Sequence, residues 1–284
     1  MGVKTYSGRQ YVNYRADDST SKIVGAVICN VVGIDQLDGS HVTDVLRIGE
    51  YSLRKFNFQT IVSMKGRPTF LDRFSGKLGL GPTSDVTPAN FAHSLLTTFP
   101  REPVFTFWFH PDHDGVFRSG LFSFGGIHDY RYEGPLIYLP MMFPNSWTVQ
   151  ATSISVGGHL LCQQACAIQF NTAYPYFYGP KQQIDLVHQL LQAKKNRLSE
   201  GEYVLECDYS YPLLKVEFGT LLVQWRMDEI WEKKRDRDTT FCKSGMRSLP
   251  LQQGWAFGHK LMYKLFTVFD LNRARMGLAL ASRP

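Results

Sequence analysis

Few stretches of this 284-residue sequence gather residue types that could do chemistry, and each has to be weighed against the element that would carry it. His110, Asp112, His113 and Asp114 offer imidazole and carboxylate donors of the kind that hold a metal. They sit, however, between two apolar runs, 104–109 and 116–124, where a hairpin needs a solvated turn. The run is read as that turn, and no metal is expected. Gly76, Gly79 and Gly81 lack the Lys-Ser/Thr of a phosphate loop and no helix pattern follows them at once, so no phosphate site is assigned. Among the five cysteines, Cys162 and Cys166 have a spacing that can close a small loop, while Cys207 and Cys242 have no nearby histidine to complete a zinc site. Spacing alone leaves disulfides and free buried thiols both open, and Cys29 stands apart.

Charge narrows the partners. Thirty-one basic against 25 acidic residues give +6, scattered except at Lys194, Lys195 and Arg197 and at Lys233, Lys234, Arg235 and Arg237. Glu232, Asp236 and Asp238 interleave the second run and cancel most of its field. Neither run accompanies a nucleic-acid-binding motif, so both read as solvated surface and no nucleic acid is expected. The five tryptophans are dispersed, which suits core or cleft packing better than a base-stacking platform. Residues 23–34 form the longest nearly apolar stretch, interrupted by Asn30 and well short of the ~20 residues a membrane helix needs. The first six residues have no apolar core of a signal peptide, and Tyr6 stands where a myristoylation motif has Ser or Thr.

The elements that must position these residues read mostly as strands. With 20 Phe, 14 Tyr and 5 Trp among many β-branched runs, the composition favours sheets. Hairpins are predicted at 104–109 with 116–124, and at 216–218 with 221–225 across Gly219. Three short helices are expected. One is opened by Thr87-Pro88 with Phe91 and Leu95 on one face. The next begins at Pro180, carries the stripe Ile184, Val187, Leu190 and Leu191, and ends at Lys194 and Lys195, where cations suit the C-terminal dipole. The last follows Gly258. Strands with single inserted helices exclude a βαβ array and a helical bundle.

Residues 162–180, CQQACAIQFNTAYPYFYGP, resemble the second catalytic region of the pepsin-like aspartic peptidases. There a small disulfide loop leads through apolar residues into Asp-Thr-Gly-Thr/Ser and then a Gly-Pro that opens a helix. The likeness extends outward. Residues 73–81 resemble the family's Phe-Asp-Gly-Ile-Leu-Gly-Leu-Gly core strand, and 122–127 its Leu-Gly-Gly-Ile hairpin, followed by Tyr132, Gly134 and Trp147. Residues 255–259 and 266–279 resemble its closing Leu-Gly-Asp and Tyr-Thr-Val-Phe-Asp…Val-Gly-Leu-Ala. The match runs from about Asp44 to the C-terminus and is weak before it. It implies an all-β, bilobal pepsin-like fold with a truncated N-terminal lobe, residues 1–134, and a C-terminal lobe, residues 135–284. It also implies the pairs Cys162–Cys166 and Cys207–Cys242, hence an oxidising place, extracellular or a secretory or lysosomal lumen. Cys29 is then the odd thiol.

Carried across, the family's second catalytic Asp falls on Asn171, its Thr on Thr172 and its Gly on Ala173; Pro175 stands for a hydroxyl residue and His259 for an acid. No Asp-Thr-Gly or Asp-Ser-Gly occurs anywhere in the sequence. Ungapped alignment back from Thr43-Asp44-Val45 puts Val32 and Gly33 where the family's flap has Tyr-Gly, so the flap loses its phenol. On this likeness the chain begins inside the first lobe, and the six-stranded floor between the lobes need not be complete.

Aspartic peptidases need two close carboxylates that share one proton, one acting as base toward water and the other as acid. Asn171 hydrogen-bonds but cannot exchange that proton, and it is read as a loop amide serving backbone groups. The expectation is a peptidase homologue that does not cleave peptides, needs no cofactor, and binds a peptide or protein in a degenerate cleft lined by Tyr174, Tyr176, Phe177 and Tyr178. The alternative is a fragment of an active aspartic endopeptidase.

Overall fold

The computed structural model describes residues 20, 23–32, 35–48, 51–65, 78–82, 91–98, 102–111, 117–196, 202–207, 209–236, 239–248 and 254–283. They fall in two compact units, residues 1–98 and 99–284.

In the first unit, strands β1 (Ile23–Val32), β2 (Asp35–Ile48) and β3 (Tyr51–Lys65) form an antiparallel meander, followed by helix α1 (Phe91–Thr98). Val42, Leu53 and Phe56 are buried with Phe91 and Ala92 of α1, and the Phe56 and Phe91 rings meet edge to face at 6.0 Å. β2 and β3 approach so closely at Gly39 that a Cβ there would lie 1.7 Å from the Thr60 carbonyl oxygen. Only glycine fits at that position. Helix α1 carries the expected Phe91, whereas Thr87 and Pro88 lie outside the described residues. Residues 73–81 do not give the expected core strand in their described part: residues 78–81 are irregular and Leu78 is 49% exposed. A Cβ on Gly79 or Gly81 would meet nothing within 4 Å.

The described residues of the second unit form three sheets. In chain order its strands are β4 (Val104–Pro111), β5 (Phe117–Phe124), β6 (Tyr132–Pro140), β7 (Thr148–Val156), β8 (His159–Phe170) and β9 (Phe177–Gly179). After helix α2 (Lys181–Leu190) come β10 (Lys194–Lys195), β11 (Tyr203–Leu205), β12 (Leu214–Phe218) and β13 (Leu221–Trp225). Helix α3 (Met227–Ile230) precedes β14 (Glu232–Asp236), β15 (Thr239–Lys243), β16 (Met246–Ser248) and β17 (Trp255–Phe257). Helix α4 (His259–Met262) leads into β18 (Leu265–Asp270) and β19 (Arg275–Ala281).

A seven-stranded sheet has the order β13-β12-β7-β8-β17-β9-β16, a five-stranded sheet β5-β4-β18-β19-β6, and a four-stranded sheet β10-β11-β15-β14. Period-two patterning sets the faces. In β12 Leu214, Val216 and Phe218 point inward, and in β13 Leu221, Val223 and Trp225 do so. Strand β18 is buried at all six positions because it runs through the middle of its sheet with both faces covered. On one face Val104, Trp108, Phe266 and Val268 form a cluster with Leu121, Ile127, Tyr132 and Leu136. Phe105 stacks on Phe269 at 4.6 Å and meets Trp147 edge on at 5.6 Å.

Both expected hairpins form, as β4–β5 and β12–β13. Gly125 takes a positive φ of 73° where β5 ends, which lets its N–H donate to the Val104 carbonyl at 2.9 Å. Helix α2 begins after Pro180 and buries Ile184 and Val187, as the stripe predicts. Lys194 and Lys195 are not its C-terminal cations, however. The helix is capped at Leu191, Gln192 turns the chain at a φ of 53°, and the two lysines form β10, Lys194 opposite Val204. The five-stranded sheet combines β4 and β5, from before position 134, with β18 and β19 from the end of the chain.

Candidate functional site

Strand β8 delivers Asn171. Beside it β17 runs parallel, Phe257 opposite Phe170, and the Asn171 N–H donates to the Phe257 carbonyl at 3.0 Å. β9 then returns antiparallel to β17. The turn between β8 and β9 is fastened to the start of α4: Gly258 N–H donates to the Tyr176 carbonyl at 2.9 Å and His259 N–H to the Tyr174 carbonyl at 2.8 Å. A Cβ on Gly258 would lie 2.3 Å from the Tyr174 carbonyl oxygen and 2.6 Å from that of Tyr176, so the crossing requires glycine.

Within this turn the Asn171 side chain is spent on the backbone. Its Oδ1 accepts from the Ala173 N–H at 3.0 Å, and its carbonyl accepts from the Tyr174 N–H at 3.1 Å, a local Asx turn. Asn171 is half-buried, and Thr172 and Ala173 are exposed. The His259 ring is half-buried against the same turn. Burial holds its pKa below the ordinary histidine value, partly offset by hydrogen bonding to the backbone of Thr172 and Tyr174, so it is neutral near pH 7.

The aromatic row beyond Asn171 divides. Tyr174 and Tyr178 pack at 4.9 Å and Tyr176 and Tyr178 at 6.3 Å, all half-buried. Phe177, expected to line the same surface, is fully buried: it stacks on Trp255 at 5.1 Å and meets Phe257 at 5.3 Å. Alternation along β9 sends it to the core face while its tyrosine neighbours face the other way.

A charged network that residue patterning did not single out anchors this row. The Tyr176 hydroxyl donates to Glu232 Oε1 at 2.9 Å, Lys260 Nζ donates to the same oxygen at 2.9 Å, and Lys234 Nζ lies 3.2 Å from Oε2. Arg247 and Lys260 sit over the Tyr176 ring at 5.0 and 5.2 Å. Burial pushes Glu232 upward, but the hydrogen bonds from Lys260, Tyr176 and Lys234 outweigh it and bring the carboxyl down to about 2. Burial, then the bond to that carboxylate, pushes the Tyr176 phenol up to about 12. Thus Glu232, read from the sequence as part of a solvated run, ties β14 to the site turn.

The cysteines pair as the resemblance implies. Cys162 and Cys166 form one disulfide with Cα atoms 5.9 Å apart, and Cys207 and Cys242 another at 5.1 Å. Cys29 lies in β1 opposite Asp38. Val32 is the last residue of β1, while Gly33, its partner in the flap comparison, lies outside the described residues. His110 is at the end of β4, and the rest of its acidic run, 112–114, is likewise outside them. No helix among the described residues is long and apolar enough to cross a membrane.

Comparison with known proteins gives the family. The family described as eukaryotic aspartyl protease matches residues 4–281. Renin of Rattus norvegicus is 26% identical over 261 residues, covering 88% of this chain and 63% of that protein. Renin of Ovis aries is 27% identical with 88% and 64% coverage, and pepsin A-5 of Mus musculus 26% identical with 93% and 69%. The chain therefore spans between 63% and 69% of the length of these relatives.

Proposed function

This chain is a pepsin-like member of the eukaryotic aspartyl protease family, and from that premise we propose that it does not cleave peptides but binds an extended peptide or protein segment at a degenerate site. Asn171 carries the reading. It stands where the resemblance calls for the second catalytic Asp, and its amide oxygen is committed to the Ala173 N–H. A carboxamide cannot take up or release the shared proton on which water attack depends. No Asp-Thr-Gly or Asp-Ser-Gly elsewhere in the sequence supplies a substitute. The half-buried tyrosines 174, 176 and 178 offer amphipathic rings against which an extended segment can pack.

In this reading residues 1–134 belong to the first lobe and 135–284 to the second, Val32 and Gly33 stand for a flap without its phenol, and no cofactor takes part. The two disulfides support an extracellular or lumenal place. The deciding experiment is hydrolysis of a denatured protein substrate at acid pH by purified protein, with and without pepstatin. No pepstatin-sensitive cleavage is expected, and its detection in a contaminant-free preparation overturns the proposal.

One observation favours a second reading, a fragment of an active endopeptidase: the chain covers only 63% of rat renin. Sequencing the source transcript and assaying its full product distinguishes the two, since an in-frame upstream Asp-Thr-Gly together with pepstatin-sensitive cleavage by the full-length protein would support the fragment.

A further inference from the structure

Helix α2 leaves the site turn directly through β9 and Pro180, and packs on β9 and β16. Its face toward the sheet is apolar at Ile184 and Val187, but the next inward position is His188, only 2% exposed. His188 Nε2 shares a hydrogen bond of 2.9 Å with Ser244 Oγ, which also accepts from the Met246 N–H at 3.1 Å. Its ring stacks on Tyr203 of β11 at 3.8 Å, nearly parallel. Nδ1 is buried with no hydrogen-bond partner among the described residues.

A neutral imidazole suits this seat, because one nitrogen then carries only a lone pair. An imidazolium would need a second acceptor for Nδ1–H, and a buried unpaired charged donor is costly. The groups around it settle the sign. On its own helix Asp185 favours the charged ring, but that carboxylate is bridged to Lys181 and accepts from the Tyr203 hydroxyl at 3.4 Å. From β16 Arg247, bridged to Glu202 at 3.3 Å, repels it; Tyr203 of β11 and Tyr178 of β9 stay neutral because burial raises both phenols.

We infer that His188 is an acid-sensitive latch: neutral, it holds α2 against β11 and β16, and on taking up a proton it releases α2 together with β9, loosening the Tyr174–Tyr178 row. The inference does not require that row to bind a peptide. Burial depresses the His188 pKa from 6.5 to about 4, with Arg247 adding to the effect and Asp185 opposing it. The open form therefore binds the proton first, and between pH 7 and pH 5 its population relative to the closed form rises about twentyfold.

Backbone hydrogen exchange at pH 7 and pH 5, corrected for the intrinsic pH dependence of exchange, tests this. Protection of α2 and β9 peptides should fall about twentyfold in the native protein, while β7 and β8 hold theirs. His188→Gln, which keeps a hydrogen-bonding group for Ser244 but does not titrate, should abolish most of that difference. Protection in α2 that is independent of pH, or equally pH-dependent in the variant, overturns the latch. If the variant fails to fold, NMR titration of the His188 ring in the native protein decides: a midpoint well below 5 supports the latch, and one near 6.5 overturns it.

Discussion

The Tyr176 hydroxyl reaches Glu232 Oε1 at 2.9 Å, joining the site turn to a strand 56 residues later in the chain. Because Lys260 Nζ bonds to the same oxygen, one carboxylate fastens the turn to both β14 and the first turn of α4. The turn is thereby positioned by a charge cluster.

Glu232→Gln should destabilise the protein by about 1–2 kcal/mol, because Lys260 keeps its half-buried charge and loses its counter-ion. The pH dependence follows from the depressed carboxyl. A folded pKa near 2 against an unfolded one near 4.5 means that the stabilisation is fully present above pH 4.5 and is lost as pH falls from there toward 2. Denaturant unfolding at pH 6 and pH 3 checks both parts: the variant should be weaker at pH 6 and should close on the native protein at pH 3.

The disulfides should contribute unequally. Cys207–Cys242 spans a sequence separation of 35 and Cys162–Cys166 one of only 4, so in a chain-entropy account the first restricts the unfolded state more. Replacing Cys207 and Cys242 by Ser should cost about 3–4 kcal/mol, and replacing Cys162 and Cys166 about 2 kcal/mol. Thermal unfolding of the two double variants, without reductant, gives the order directly.

How much of this could be read in advance depended on the sequence range of each interaction. The β4–β5 and β12–β13 hairpins are local, with apolar runs flanking polar or glycine turns, and they appear where patterning puts them. The α2 stripe was legible for the same reason, but its end was not: Lys194 and Lys195 look like dipole cations until Val204 pairs with Lys194 and draws them into β10. Asn171 was found through its neighbours Thr172 and Ala173 and the Gly-Pro that follows. Glu232 was not, since nothing near it in sequence names Tyr176 or Lys260, which lie 56 and 28 residues away. Phe177 reads as a cleft residue with its tyrosine neighbours because the YPYFY run has no alternation in hydrophobicity to mark which residue turns inward.

Gly258→Ala tests the crossing behind the site. The new Cβ would stand 2.3 Å from the Tyr174 carbonyl oxygen and 2.6 Å from that of Tyr176, both backbone atoms held by hydrogen bonds. Relief requires opening the bonds from Gly258 and His259 to the turn, so a loss of about 2–4 kcal/mol is expected. A change below 0.5 kcal/mol in chemical denaturation would mean that the turn moves freely.

Asn171→Asp combined with Ala173→Gly should not create a peptidase. The new carboxylate would keep the Asn171 oxygen position, with the residue 173 N–H still available to it, and hydrogen bonding to the charged form favours ionisation. An aspartic dyad works the other way: a second carboxylate close by forces the pair to hold one proton, and the two titrate as a coupled unit. Without that partner the lone acid stays ionised and has no proton to give the carbonyl oxygen while it activates water. Glycine at 173 only eases the backbone beside it. Activity should need a second acid as well, supplied by a grafted segment carrying Asp-Thr-Gly, in cis or as a separate chain. Assaying the double variant alone and with that segment separates the cases. Peptide cleavage by the double variant alone would show that another acid of this chain already faces position 171, so that Asn171 and Ala173 alone stand between the native protein and activity.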